Sequence, residues 1–150
     1  MQIRLIFQIL CLVFCTASLT SARHTFQGTS VAELNEQSFR QLTGIGSEDK
    51  KIKEDFIVFF YAYWCSYCRK DSPAWIDFKN QNNNENIMVF HCPDNQAFCE
   101  QLYVYSYPTI LLFPKDTYQY CIFSGVRDQY EIQKFWSKKC ENEQLYEIKV

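Results

Sequence analysis

The chain has no excess of basic charge. Its 15 Lys and Arg stand against 17 Asp and Glu, a formal net charge of -2. Such a surface cannot neutralise a phosphate backbone, which argues against nucleic acid as a partner. There is no Pro-, Gly- or Ser-rich linker and no internal repeat, with only four Gly and four Pro in 150 residues. Length and composition fit one domain. No Asn-x-Ser/Thr acceptor is present, and no apolar run beyond the first twenty-odd residues is long enough to span a membrane. Apolar side chains, by contrast, make up 47% and aromatics 17%, with 13 Phe and 10 Tyr. That is enough for a sizeable core and argues against disorder. Eight cysteines are many for a chain of this length in a reducing compartment.

The N-terminus has the parts of a secretory signal peptide: Arg4, an apolar stretch over residues 5–19, and small residues through Thr20, Ser21 and Ala22. The stretch is short for a spanning helix. Cleavage is expected after Ala22, giving residues 1–22 as signal peptide and 23–150 as the domain, with no membrane association afterwards. Cys11 and Cys15 leave with the peptide, and Cys65, Cys68, Cys92, Cys99, Cys121 and Cys140 remain.

In the remaining chain, residues 44–55 and 80–86 read as polar loops. Residues 57–62 form a continuous β-branched and aromatic run suited to a strand buried on both faces. Residues 69–79 read as a helix, with Trp75 and Phe78 three apart. Residues 87–91 read as a strand and 96–103 as a short helix. Residues 109–113 and 118–123 read as strands joined by a turn at Pro114-Lys115-Asp116. Residues 128–139 read as a closing helix with Ile132, Phe135 and Trp136 inward. Strands alternating with helices, then a hairpin and a last helix, predict an α/β sandwich around a mixed sheet.

The chemistry is concentrated where the first buried strand meets a helix, at Trp64-Cys65-Ser66-Tyr67-Cys68. Two cysteines at this spacing can close a small ring, and the N–H groups at a helix start favour a thiolate on the first. A thiolate attacks a disulfide, and the second cysteine then resolves the mixed disulfide. A Cys-x-x-Cys by itself fits half a zinc site or a structural bridge equally well. Zinc would need a second ligand pair. Cys92 and Cys99 are separated by six residues instead of two, and His91, as a strand neighbour of Cys92, faces the other way, so no metal is expected.

The stretch from Phe60 through Trp64-Cys65-Ser66-Tyr67-Cys68 to Lys70, followed by Pro73 and Trp75, resembles the active-site segment of protein disulfide isomerases in the thioredoxin superfamily. Tyr107-Pro108-Thr109 resembles the cis-proline loop of that family, and Gly125-Val126-Arg127 its Gly-x-Arg before the last helix. The resemblance runs from about Val31 to Lys139. It implies a thioredoxin-like fold, a central mixed β-sheet flanked by helices. It further implies that Cys65 attacks, Cys68 resolves, Pro108 is cis and presents backbone to an extended substrate, Pro73 kinks the active-site helix, Trp64 shields the disulfide, and Arg127 helps the resolving thiol ionise. Some relatives of this kind carry a structural bridge where Cys92 and Cys99 stand; that would leave Cys121 and Cys140 as a second. No cofactor is expected, because both electrons reside in the Cys65/Cys68 pair.

Three positions depart from the family pattern. Phe59 occupies the place of a buried acid that relays protons for the resolving cysteine, and a phenyl ring cannot accept a proton. Ser66-Tyr67 replaces the usual Gly-His, removing a cation that could stabilise the thiolate, so a less oxidising couple is expected. Tyr63 replaces the usual proline before the tryptophan. The loop tyrosines Tyr63, Tyr67, Tyr105 and Tyr107 are expected to form an apolar platform for polypeptides, with Trp64, Tyr63, Tyr67 and Tyr107 touching substrate.

The expected function is thiol–disulfide exchange on cysteine-containing or unfolded secretory proteins. Alternatives are a weakly catalytic or non-catalytic chaperone or adaptor of the same fold, and an inert structural domain. The final residues Glu147-Ile148-Lys149-Val150 do not form a Lys-Asp-Glu-Leu type retrieval signal. The expected location is therefore the endoplasmic reticulum lumen, with retention through a partner, or the exterior.

Overall fold

A short run of six apolar side chains, all β-branched or aromatic, suits a strand covered on both faces. Phe56–Tyr61 is that strand, with every residue buried. In the computed structural model, which describes residues 25–48 and 50–149, the chain order is β1 (Ala32–Leu34), α1 (Glu36–Thr43), β2 (Phe56–Tyr61), α2 (Ser66–Gln81), β3 (Asn86–His91), a 3-10 turn (Pro93–Asn95), α3 (Gln96–Gln101), β4 (Thr109–Phe113), β5 (Gln119–Ile122), α4 (Gln129–Lys138) and β6 (Tyr146–Glu147). The expected signal peptide, residues 1–22, lies outside the described residues.

The strands form one mixed sheet in the order β1-β3-β2-β4-β5-β6. β3 runs parallel to both β1 and β2, whereas β4, β5 and β6 join antiparallel. Alternation along β2 divides the core in two. Ile57, Phe59 and Tyr61 pack with Cys68, Trp75 and Phe78 of α2 and Ile132, Phe135 and Trp136 of α4. Phe56, Val58 and Phe60 face the other way, onto Phe39 of α1 and Phe98 of α3. The α/β sandwich with a mixed central sheet is therefore the fold.

The boundaries differ from the pattern reading for local reasons. α2 starts at Ser66 rather than residue 69, because Cys65 itself caps it. α3 stops at Gln101, and Tyr103 then turns back with φ of 58°. Asp128 is the N-cap of α4 rather than its first residue, its carboxylate accepting the Glu131 N–H at 2.8 Å. Residues 44–48 and 50–55 are irregular but not simply solvated. Ile52 is fully buried, and its N–H and C=O bond to Thr117 and Asp116 at 2.9 Å each, fastening this segment to the β4–β5 turn.

Two disulfides tie the periphery down. Cys92–Cys99 brackets the 3-10 turn and the start of α3, and Cys121–Cys140 joins β5 to the second residue beyond α4. In the chain-entropy description the shorter loop contributes about 2–3 kcal/mol and the longer about 3 kcal/mol.

Candidate active site

The end of β2 delivers the chain through Ala62 and Tyr63 to the N-terminus of α2, so sheet and helix together fix the cysteine pair. Cys65 occupies the N-cap, and its sulfur accepts the Cys68 N–H at 3.1 Å, as an Asp or Ser oxygen would in an ordinary cap. A helix N-terminus is a favourable place for a developing anion. The Cys65 thiol also donates to the Tyr107 carbonyl at 3.4 Å, and the Tyr107–Pro108 peptide bond is cis. Pro73 lies within α2 and cannot bond the Arg69 carbonyl one turn back. The Ser72 hydroxyl donates to that carbonyl at 3.0 Å instead.

Both Cys65 and Cys68 are free thiols, but they are not equivalent. Cys65 keeps 7% of its surface in solvent and Cys68 keeps none. Burial pushes the Cys68 thiol well above its ordinary value, and its hydrogen bond with Cys65 adds to the rise, partly offset by a backbone hydrogen bond at Ala62. The folded state thus holds the Cys68 proton beyond pH ~8.5, where an unfolded thiol releases it. The native state then binds more protons than the unfolded chain, so stability is lost as pH rises above that value. With Cys65 and Cys68 reduced and the other bridges intact, the urea midpoint is expected to fall progressively above pH ~8.5. In Cys68→Ala the fall should be shallower. An identical slope in the variant would refute this assignment. Buried Tyr61 and Tyr120, also pushed up by desolvation, act in the same direction only at higher pH.

Arg127 approaches from the loop before α4. Its guanidinium donates to the Pro108 carbonyl at 3.1 Å and lies 3.6 Å from the Asp71 carboxylate on α2. Gly125 serves the same loop, because a Cβ there would fall 2.9 Å from the Phe123 ring. Phe59 is fully buried at 5.4 Å from Trp75 and 5.6 Å from Phe26, in the apolar cluster that also contains Cys68.

The aromatic residues expected to form a platform divide into two sets. Trp64 and Tyr67 are 63% and 67% exposed beside the cysteine pair, and Tyr107, half-buried, meets Trp64 edge-on at 5.9 Å. Tyr63 instead stacks on His91 at 4.8 Å, and His91 pairs with Asp94 at 2.7 Å. Tyr105 is exposed but associates with Tyr103 and, through it, with Tyr146. Asp71 is the site residue that the motif reading passes over. Its signal is a helical one, three residues after Cys68 and hence on the same face of α2.

A thiol with a margin of solvent exposure at a helix N-terminus, a second thiol fully buried behind it and the carbonyl that precedes a cis-proline alongside are the parts of a dithiol exchange site on a thioredoxin-like fold. The Thioredoxin family model matches residues 30–138, and the chain belongs to the thioredoxin family. It is 28% identical over 125 residues to protein disulfide-isomerase like 2-2 of Arabidopsis thaliana, covering 82% of this chain and 26% of that protein. It is 31% identical over 119 residues to a mitochondrial thioredoxin domain-containing protein of Schizosaccharomyces pombe, covering 73% of this chain and 30% of that one. The chain thus spans about a quarter to a third of these relatives. Among solved structures, the J-Trx1 fragment of ERdj5 superposes with a TM-score of 0.63 at 23% identity, over 73% of this chain and 49% of that one. The first thioredoxin domain of mouse protein disulfide-isomerase A4 gives 0.59 at 21% identity, over 73% and 74%. At these identities the likeness establishes the fold.

Proposed function

We propose that this chain is a thiol–disulfide oxidoreductase of the protein disulfide isomerase kind, acting on cysteines of secretory-pathway proteins. Cys65 as thiolate attacks one sulfur of a substrate disulfide, and the other sulfur leaves with the electron pair. Cys68 then attacks Cys65, closing their bridge and releasing the substrate as a dithiol. Starting from the closed bridge, the same steps in reverse oxidise a substrate dithiol. No separate cofactor is required. The observation that carries this reading is the inequality of the two thiols: Cys65 reaches solvent at a helix cap, and Cys68 is fully buried behind it.

Trp64, Tyr63, Tyr67 and Tyr107 would seat the polypeptide around the reacting sulfur. Pro108 would hold the carbonyl of Tyr107 against Cys65, and Arg127 would brace that loop. The two disulfides away from the site support an oxidising compartment, the endoplasmic reticulum lumen or the exterior.

The deciding measurement is the reduction potential of the Cys65/Cys68 pair, from equilibration in glutathione buffers read by mass spectrometry. A value between roughly -270 and -180 mV is expected, nearer the thioredoxin end because no histidine stands between the cysteines. A value below about -300 mV would mark a bridge that resists reduction and overturn the enzyme reading. Phe59 favours a second reading, a chaperone that binds clients through the same aromatic rim with little turnover. Catalysed reduction of a peptide disulfide separates the two.

A further inference from the structure

Resolution of a mixed disulfide at this site must remove a proton from a thiol with no solvent exposure, and β2 offers nothing to take it. Phe59 is a hydrocarbon surrounded by Phe26 and Trp75. Among the described residues, the titratable groups that act on Cys68 are Cys65 at the helix cap, Asp71 on α2, Tyr61 on β2 and Tyr107 on the cis-proline loop, with Arg127 before α4 set against Asp71. Cys65 is consumed in the mixed disulfide. The two phenols already carry their protons at neutral pH, burial having pushed both upward, and Arg127 is a permanent cation.

We propose that the Asp71 carboxylate accepts the proton of Cys68 as that thiol resolves the mixed disulfide, an inference that rests on the oxidoreductase reading. Asp71 lies three residues beyond Cys68 on α2, which places the two Cβ atoms about 5–6 Å apart on one face. Its side chain is only 13% exposed, and Arg127 fixes it from across the cleft at 3.6 Å. The same guanidinium holds the Pro108 carbonyl, so the proton acceptor is tied to the loop that lies on Cys65. The step balances. Cys68–SH gives its proton to Asp71, its sulfur bonds to Cys65, the Cys65–substrate bond breaks, and the substrate sulfur leaves with the electron pair. The departing thiolate is protonated by Asp71 or by water, and any remaining proton on Asp71 passes to solvent.

Asp71 acts on Cys68 in a second manner, and the two make opposite predictions. As a fixed negative charge it disfavours the Cys68 thiolate, so its removal would speed resolution. As proton acceptor its removal slows resolution. The test uses the full chain with Cys65 joined in a mixed disulfide to 5-thio-2-nitrobenzoate, and release of that thiol is followed by stopped flow from pH 5 to 9. For Asp71→Asn, release is expected to be about tenfold or more slower at pH 7, with a steeper dependence on pH as hydroxide replaces the lost base. Asp71→Glu should restore most of the rate and the wild-type profile. The rate of Cys65 alkylation in each free variant reports whether the site is intact. Release from Asp71→Asn as fast as wild type or faster, with an unaltered pH profile, would overturn the inference alone. Failure of the wild type to release the thiol would overturn the oxidoreductase reading and this inference with it.

Discussion

Phe39→Ala is expected to lower the free energy of unfolding by about 3–5 kcal/mol, the range for removing a fully buried phenyl ring from a core that cannot close over the gap. Phe39 is fully buried and meets Phe56, Phe90, Phe98 and Phe113 edge-on at centroid distances of 5.1–6.1 Å, with Phe60 tilted at 6.4 Å. Those five rings come from three central strands and from α3, so no single element can move to fill the cavity. The same ring is what fastens α1 to the sheet. A helix of eight residues has little stability by itself, and the reciprocal bonds between Asn35 and Ser38 only organise its first turn. Loss of this size is a large share of the 5–15 kcal/mol available to a typical domain. Urea denaturation with both peripheral disulfides intact measures it. A loss below about 1.5 kcal/mol would mean that the surrounding rings collapse into the space. Because Phe39 packs on the face of β2 opposite Cys68, the reactivity of Cys65 in the folded variant should change little.

The parts of this molecule legible in the sequence are those set by one strong local signal. β2 is a six-residue apolar run, α4 has its inward residues at helical spacing, and the cysteine motif marks the junction of strand and helix. α1 carries no comparable signal. Phe39 and Leu42 are its sole large apolar side chains, since most of its burial comes from one ring rather than from a stripe. β6 is two residues long and exists through its pairing with β5, a tertiary contact that no local pattern announces. Ile52 reads as an isolated apolar residue in a charged loop, yet the β4–β5 turn gives it a fully buried seat. At the site, the cysteines and Pro108 were legible because motifs mark them. Asp71 was not, because its importance lies in facing Arg127 across the fold, which spacing along one helix cannot reveal. Tyr63 likewise has a contact that the motif does not announce, its ring stacking on His91 at the end of β3.

The two cysteine variants should fail in different ways, and that difference has the largest expected effect on activity. Cys65→Ser is expected to reduce disulfide exchange to the rate seen without protein, because a serine hydroxyl is not ionised at neutral pH and the remaining thiol is out of reach. Cys68 has no solvent exposure and a proton held by burial, so it cannot take over the first attack. Cys68→Ser leaves the first attack possible but removes the intramolecular exit. The mixed disulfide on Cys65 should accumulate to near one equivalent, and turnover should then wait for an external thiol. Intact-mass measurement after exposure to a peptide disulfide reads the adduct, and peptide mapping locates it. Cys92, Cys99, Cys121 and Cys140 are occupied with one another and should carry none. Retained exchange in Cys65→Ser would remove Cys65 as the attacking group. Wild-type turnover in Cys68→Ser without an adduct would mean that Cys68 is not needed to release substrate, in which case the burial of the second thiol is a packing feature and the inequality of the pair has no catalytic consequence.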